Sequence, residues 1–541
     1  MSVLFPKIPA LLHGGDYNPD QWLDRPDILE EDIKMMKKAG VNTATVGVFS
    51  WSALEPQEGN FQFGWLHDIM DKLYENGIYT VLATPTGARP AWMDEKYPSV
   101  LRVEKDGRRN HHSGRHNHCM SSLEYRSLVE KMDTKLAQEF GNHPGLILWH
   151  ISNEFGGECY CENCKKRFQE YLREKYHNNI EELNKQWWTS FWSRRFDSFE
   201  QIEPPYDNGE HSILGLNLDW KRFNSWNMKD YLAFERRILK KYTPQVPATA
   251  NFMKLFEQLD YVDLAKEIDI ISWDGYPSWN NDYETPADTA AELSFDHTVM
   301  RSLKKDKPFM LMESTPSLVN WHSVNKLKRP GILRASSIQT IGCGSDTVQY
   351  FQWRKGRGAA EQFHGAVVDH LGRDDTRVFK EVSEVGEILK KLAPVTGSKV
   401  TSKAAVLFDW SNRWAIKDMQ GMARDTKKYE NPFRGRPPLF AVPGGVRCAR
   451  HQGRPEPDGR DDGHAPLPDV RLGLPRLRTH PLRVHGDRRQ PLRSRFRRGA
   501  IRDHVQFHAA VQRRQLERLL QPRRLLYELL QRHLCGARLP R

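Results

Sequence analysis

The chain of 541 residues has few cysteines and, over its last fifth, neither lysine nor tryptophan. It also lacks any long apolar run. Each shortage excludes something. Seven cysteines, four of them grouped, suit a metal site in a reducing compartment better than a disulfide framework. No stretch approaches the ~20 apolar residues of a membrane helix. Met1-Ser2-Val3-Leu4-Phe5-Pro6 lacks the basic start and apolar core of a signal peptide. The expectation is a soluble cytoplasmic protein with no membrane partner. No glycine-rich phosphate loop follows the first apolar run, which counts against an open dinucleotide-binding sheet.

The missing lysine marks a change of character. From Arg434 to Arg541 there are 25 arginines and 9 acidic residues. That segment carries +16 of a formal net charge of +12, so the first 433 residues stand at −4. The body is mildly acidic, and its overall charge gives no reason to expect nucleic-acid binding. The segment 434–541 reads as an out-of-frame, disordered translation of a GC-rich gene. Its rival is a genuine Arg-rich tail that binds RNA or anionic surfaces.

What is present is an alternating pattern. Apolar runs at Leu11–Asp16, Thr43–Val48, Tyr79–Thr84, Leu146–Ser152, Ala248–Phe252, Ile268–Trp273, Phe309–Glu313 and Thr347–Trp353 read as strands. Between them lie helical patterns, including Ser127–Phe140, Lys165–Tyr176, Met228–Lys241 and Val378–Leu392. Eight βα units in about 390 residues predict an α/β fold, a (β/α)₈ TIM barrel over 1–395. A doubly wound sheet is the alternative. The aromatic stretch Trp187–Leu218 reads as a long loop. Residues 396–433 look like the incomplete start of a second α/β domain.

Two runs end on a carboxylate. Leu146-Ile147-Leu148-Trp149-His150-Ile151-Ser152 stops at Asn153-Glu154, and Phe309-Met310-Leu311-Met312 stops at Glu313. Barrel enzymes carry their chemistry at the C-terminal ends of strands. The fourth and seventh candidate strands lie nearly opposite in an eight-stranded ring, so the two carboxyls can face each other. Glycoside cleavage needs such a pair: one acid protonates the leaving oxygen, the other carboxylate attacks or activates water. Partial burial can raise a carboxyl's pKa enough for the first task. Asn153 can bond the hydroxyl beside the reacting carbon.

Cys159-x-Cys161-x-x-Cys164, with Cys119 upstream, has the spacing of a closed four-thiolate zinc site, hence structural. The run His111–His118 reads as a polar rim loop in which Arg115 can touch substrate. Glu361-Gln362-Phe363-His364 can likewise touch a sugar. Alone, each is more often a solvated loop residue.

These motifs, with Gly14-Gly15-Asp16-Tyr17-Asn18-Pro19-Asp20-Gln21-Trp22, Phe49-Ser50-Trp51-Ser52-Ala53-Leu54-Glu55-Pro56, Asn320-Trp321 and Tyr350-Phe351-Gln352-Trp353-Arg354, resemble glycoside hydrolase family 42, the β-galactosidases. The resemblance spans residues 10 to about 430. It implies a retaining enzyme acting on terminal β-D-galactosides, with Glu154 as acid/base and Glu313 as nucleophile. It further implies sugar contacts by Arg115, Asn153, Tyr276, Trp321, Glu361 and His364, and structural zinc on Cys119, Cys159, Cys161 and Cys164. Family-type homotrimers follow too, with the second domain aiding assembly and Trp192 reaching a neighbour's site. Beyond about residue 430 the sequence departs from the family's pattern. A galactoside-binding barrel impaired by loss of its assembly domain is therefore the alternative reading.

Overall fold

A computed structural model describes residues 4–419, apart from 306, 323, 325, 403 and 404, together with the strand Gly445–Cys448. Contacts divide the chain into two units, of which Arg450–Tyr527 lies outside the described residues. So does most of the Arg-rich segment read as a disordered tail.

Nine short parallel strands build the centre: β1 (Leu12–Asp16), β2 (Thr43–Val46), β3 (Tyr79–Ala83), β4 (Leu146–His150), β5 (Ala248–Thr249), β6 (Asn251–Met253), β7 (Ser272–Gly275), β8 (Met310–Ser314) and β9 (Thr347–Tyr350). One sheet runs β5-β4-β3-β2-β1-β9 and another β6-β7-β8. The fifth expected strand is divided at Ala250: β5 pairs with β4, and β6 pairs with β7. On the other side the two sheets meet through a parallel bridge between Phe309 and Ser345. There Thr347 Oγ1 donates to Leu311 O at 2.8 Å and Ser314 Oγ to Gln349 O at 2.7 Å. The ring is thereby closed, as the eight βα units predict, and the fold is a (β/α)₈ barrel.

The strands form because nearly all their side chains are enclosed, Tyr79 and Met253 being half-buried at strand ends; β1, β4 and β8 are buried along their whole length. Leu12, Val81, Ile147, Leu148, Met310 and Met312 share one apolar cluster with Phe5 and Ile8. Burial of each such side chain contributes about 1.5–3 kcal/mol. At β1 the neighbouring backbones come so close that only glycine fits. A Cβ on Gly14 would lie 1.7 Å from Thr43 O of β2, and one on Gly15 would lie 2.0 Å from Tyr350 O of β9.

The helices follow their apolar spacing. In Pro26–Lys38 the buried Leu29, Ile33 and Met36 share one face, and Gly40, at φ 70°, turns the chain. One helix differs from expectation. It runs Leu214–Tyr242, starting fourteen residues before the expected Met228 and inside the expected long loop. Leu216, Trp220 and Phe223 pull it that way, because they pack with Phe168, Leu172 and Trp187 into a second cluster. Among the described residues no helix is long and apolar enough to cross a membrane.

After the barrel come a strand, β10 (Ala405–Phe408), parallel to β11 (Gly445–Cys448), and the helix Trp410–Asp418. β11 falls within the segment expected to lack structure. The helix docks on the loop after β6 through side-chain donors, three of them to backbone carbonyls. Arg413 Nη1 donates to Leu255 O (2.7 Å), Trp410 Nε1 to Phe256 O (3.0 Å) and Trp414 Nε1 to Glu257 O (2.5 Å). That loop reaches the segment after Glu154: Gln258 Oε1 accepts from Gly157 N at 2.7 Å, and the Phe256 ring lies against Gly156.

Candidate active site

Glu154 stands four residues beyond the end of β4, on a turn with two non-glycine residues in the left-handed region, Ser152 (φ 55°) and Glu154 (φ 38°). Such conformations cost of order 1–3 kcal/mol each and persist only where the surroundings impose them. Here the anchors are visible. Ser152 N donates to Thr84 Oγ1 at 2.7 Å, and Thr84 Oγ1 in turn donates to the buried Glu235 at 2.8 Å. Glu154 N donates to Asn251 Oδ1 at 2.7 Å.

Glu313, inside β8 and buried, points at the same space. One carboxylate oxygen each from Glu154, Glu313 and Asp274 lie within 4.8 Å of one another. Two donors aim at Glu313: Tyr276 Oη to Oε2 at 2.5 Å and Asn251 Nδ2 to Oε1 at 3.0 Å. Arg115 Nη2 sits 2.9 Å from Glu154 Oε2. Asn153 lies between these pairs. Its Oδ1 accepts from Asn251 Nδ2 at 2.9 Å.

The charge balance is unusual. Burial raises Glu313 well above the ordinary carboxyl range. The neighbouring Asp16 and Glu154 raise it further, against the Tyr276 hydrogen bond and Arg115. Burial, then Glu313 and Glu154, push Asp274 up in the same way, and burial, then Glu154 and Glu361, push up Asp16. Arg115 is disfavoured by its own burial, but Glu154, Glu313 and Glu361 outweigh this and raise it. A cluster of acids around one guanidinium holds protons at pH values where isolated carboxyls have lost them. Such a site can both donate a proton and present a carboxylate.

The remaining predicted residues surround this pair. Tyr276 meets Trp321 edge-on at 5.6 Å between ring centroids and His364 at 5.8 Å. His364 is buried, while Trp321 is 57% exposed and presents an open ring at the rim. Glu361 lies on the exposed loop before His364 and is felt by Arg115. All eight predicted carboxylate and sugar-site residues therefore come together. The histidine loop is less uniform than expected: His111 and His112 are exposed, but His118 is buried and stacked on Tyr125 at 4.4 Å.

Sequence reasoning missed Asn251, Asp274 and Asp16. The signal that found Glu154 and Glu313, an apolar run ending on a carboxylate, was also present at Asp16. It was present at Asp274 too, one residue past the expected strand Ile268–Trp273; the strand in fact lies at Ser272–Gly275 and includes it. Asn251 had no such signal.

Cys119, from the segment between β3 and β4, meets Cys159, Cys161 and Cys164 after β4. All four are buried, with one Sγ each within 4.8 Å of the others. Cys119 Sγ is 3.5 Å from both Cys161 Sγ and Cys164 Sγ. Zinc–sulfur bonds of about 2.3 Å in a tetrahedron place sulfurs about 3.8 Å apart, so the donor set fits one such ion. Val103 N donates to Cys159 Sγ at 3.4 Å, which favours the thiolate form. Trp192, 70% exposed, stacks on Phe191 at 4.7 Å.

Comparison with known proteins gives a consistent picture. The glycoside hydrolase family 42 model, described as β-galactosidase, matches residues 16–392. β-Galactosidase GalA of Bacillus licheniformis is 51% identical over 425 residues, 77% of this chain and 63% of the relative. GanA of Bacillus subtilis gives the same identity and coverage. Among solved structures, a catalytic mutant of Gan42B, a GH42 β-galactosidase from G. stearothermophilus, superposes with a TM-score of 0.79 at 51% identity, covering 80% of this chain and 64% of that one. The cold-adapted β-galactosidase from Rahnella sp. R3 gives 0.80 at 49%, covering 83% and 66%. The chain thus spans less than two thirds of the curated relatives' length.

Proposed function

This chain belongs to the glycoside hydrolase family 42 β-galactosidases, and from that premise we propose that it hydrolyses terminal non-reducing β-D-galactosides with retention of configuration. The observation that carries the proposal is the separation of the carboxylates. Oxygens of Glu154 and Glu313 within 4.8 Å suit direct attack, for which the carboxyls stand about 5–5.5 Å apart; a water between them needs about 6.5–9.5 Å.

Glu313 is the nucleophile, because Tyr276 and Asn251 both donate to its carboxylate and fix its direction. It attacks the anomeric carbon while Glu154 gives its proton to the departing glycosidic oxygen. A galactosyl ester on Glu313 results. Glu154, now a carboxylate and 11% exposed, takes a proton from water as that water attacks the same carbon, and the bond to Glu313 breaks. Arg115, Asn153, Glu361 and His364 bond the hydroxyls, and Trp321 offers a face to the apolar side of the ring. The test is proton NMR of the first product from a nitrophenyl β-galactoside. The β-anomer is expected to form first, and initial α-galactose would defeat the scheme. Binding without turnover would favour the impaired galactoside-binding barrel.

Cys119, Cys159, Cys161 and Cys164 would hold a structural zinc ion that ties the segment before β4 to the one that follows the proton donor. A closed four-sulfur site leaves no position for water, so the ion takes no step in the reaction. Cys161→Ser is expected to lose stoichiometric zinc by elemental analysis and to melt several degrees lower. Unchanged metal content, or an unchanged melt, would remove the ion from the account. The residues 1–395 form the catalytic barrel and 396–433 begin the second domain. A family-type homotrimer acting in the cytoplasm remains part of the proposal, and size-exclusion with light scattering tests the assembly.

A further inference from the structure

Asn251 opens β6, just past the break in the fifth strand at Ala250, where the chain leaves β4 and joins β7. It is 1% exposed, so every polar atom of its amide needs a partner within the protein. Its oxygen accepts from Glu154 N at 2.7 Å and faces His150 Nε2 at 3.0 Å. Its nitrogen donates to Asp274 Oδ2 at 2.7 Å and Glu313 Oε1 at 3.0 Å, with Asn153 Oδ1 a third acceptor at 2.9 Å. His150 is buried, which lowers its pKa to about 4. Its ring is therefore neutral at working pH and carries one proton, and Asn251 Oδ1 is the partner on its Nε2 side. Two donors on one end and two carboxylates on the other fix the amide's orientation. No other side chain of this size supplies an acceptor and two donors at once. Aspartate would bring another negative charge against Glu313 and Asp274, and leucine would take this partner from all of these neighbours.

We propose that Asn251 is the positioning residue that sets the separation between the proton donor and the nucleophile. One end holds the backbone of the Glu154 turn and the other holds the carboxylate of Glu313. The inference rests on the assignment of Glu154 and Glu313 given above. Because the backbone that carries Glu154 and the carboxylate of Glu313 hang from a single amide, removing it lets them move independently. Displacement by about 1 Å is enough to cost on the order of 10²-fold in rate. The amide also stabilises the charged form of Glu313. The other groups facing that carboxyl are Asp16 from β1, Asp274 from β7, Glu154 and Arg115 from the loops beside β4, and Tyr276 beyond β7. None of them replaces the lost donor.

The test compares wild type with Asn251→Ala and Asn251→Ser on a nitrophenyl β-galactoside and on a 2-deoxy-2-fluorogalactosyl reagent that traps the galactosyl ester. For Asn251→Ala, kcat and the trapping rate are expected to fall roughly 100-fold with KM changed only a few-fold. The acidic limb of kcat/KM is expected to move to higher pH, since a Glu313 carboxylate with one donor fewer ionises later. A merely structural role would lower the melting temperature without moving that limb. The serine variant keeps one hydrogen bond and should fold if alanine does not, with an intermediate loss. A folded variant with wild-type kcat and an unmoved limb overturns the inference. A wild type without turnover defeats the underlying activity instead.

Discussion

Replacing Glu313 by alanine is expected to lower galactoside turnover by on the order of 10⁴-fold or more while leaving the fold intact. The nucleophile forms the bond that the second step must break, so no neighbour can take its place. Glu154, the nearest candidate, must still deliver its proton. The fold should hold because Glu313 is held against repulsion: burial, Asp16 and Glu154 all raise its pKa. Removing it relieves that repulsion, so the melting temperature should be unchanged or higher. The cavity left behind lies on the face opposite the leaving group. Added azide is expected to enter it and yield the α-galactosyl azide, with inverted configuration. A variant that retains more than a few percent of wild-type turnover without azide would show that Glu313 is not the nucleophile.

Gly15→Ala is expected to have the largest effect on the fold. Its Cβ would stand 2.0 Å from Tyr350 O and 2.5 Å from Tyr350 N, atoms of the adjacent strand's backbone. A flexible side chain could swing aside, but a paired strand cannot. The extra atom must push β1 away from β9, where Gly15 and Tyr350 are partners in the ladder. Ordinary overpacking costs about 1–3 kcal/mol, and a backbone clash of this depth exceeds it. Against a total stability of about 5–15 kcal/mol, the variant should be recovered mostly insoluble, or melt many degrees lower. A melt within 2 °C of wild type, by circular dichroism, would refute the close-approach argument. Asp16 follows directly, so partial survivors should also show a disturbed acid cluster.

Much of this was legible in the sequence because barrel strands are enclosed on both faces and read as apolar runs. The runs at Leu146 and Phe309 end on carboxylates, and that local pattern points to Glu154 and Glu313 as candidates. Cysteine spacing was equally local. What escaped notice depends on contacts between distant segments. Asn251 sits in Ala248-Thr249-Ala250-Asn251-Phe252, where nothing distinguishes a polar residue in a weak strand from one bonded to the Glu313 carboxylate and the Glu154 backbone. The early start of the helix Leu214–Tyr242 was hidden because Trp220 and Phe223 resemble the aromatic residues of the preceding loop; only their shared burial with Phe168 makes them helical. Trp410, Arg413 and Trp414 looked like the opening of another domain, yet their side chains bond carbonyls more than 150 residues earlier in the chain.

Those three side chains bear on how short a working enzyme can be made. Leu255, Phe256 and Glu257 lend their carbonyls to a helix that lies outside the eight βα units. Phe256 and Gln258 pass that restraint to Gly156 and Gly157, just after the proton donor. A chain cut at residue 395 would keep every catalytic side chain, and its barrel would still close. Its acid, however, would be carried on a loop held from one side only. Such trimming is expected to loosen the turn that carries Glu154, the residue proposed as proton donor, and a chain that extends through Asp418 is expected to keep it held.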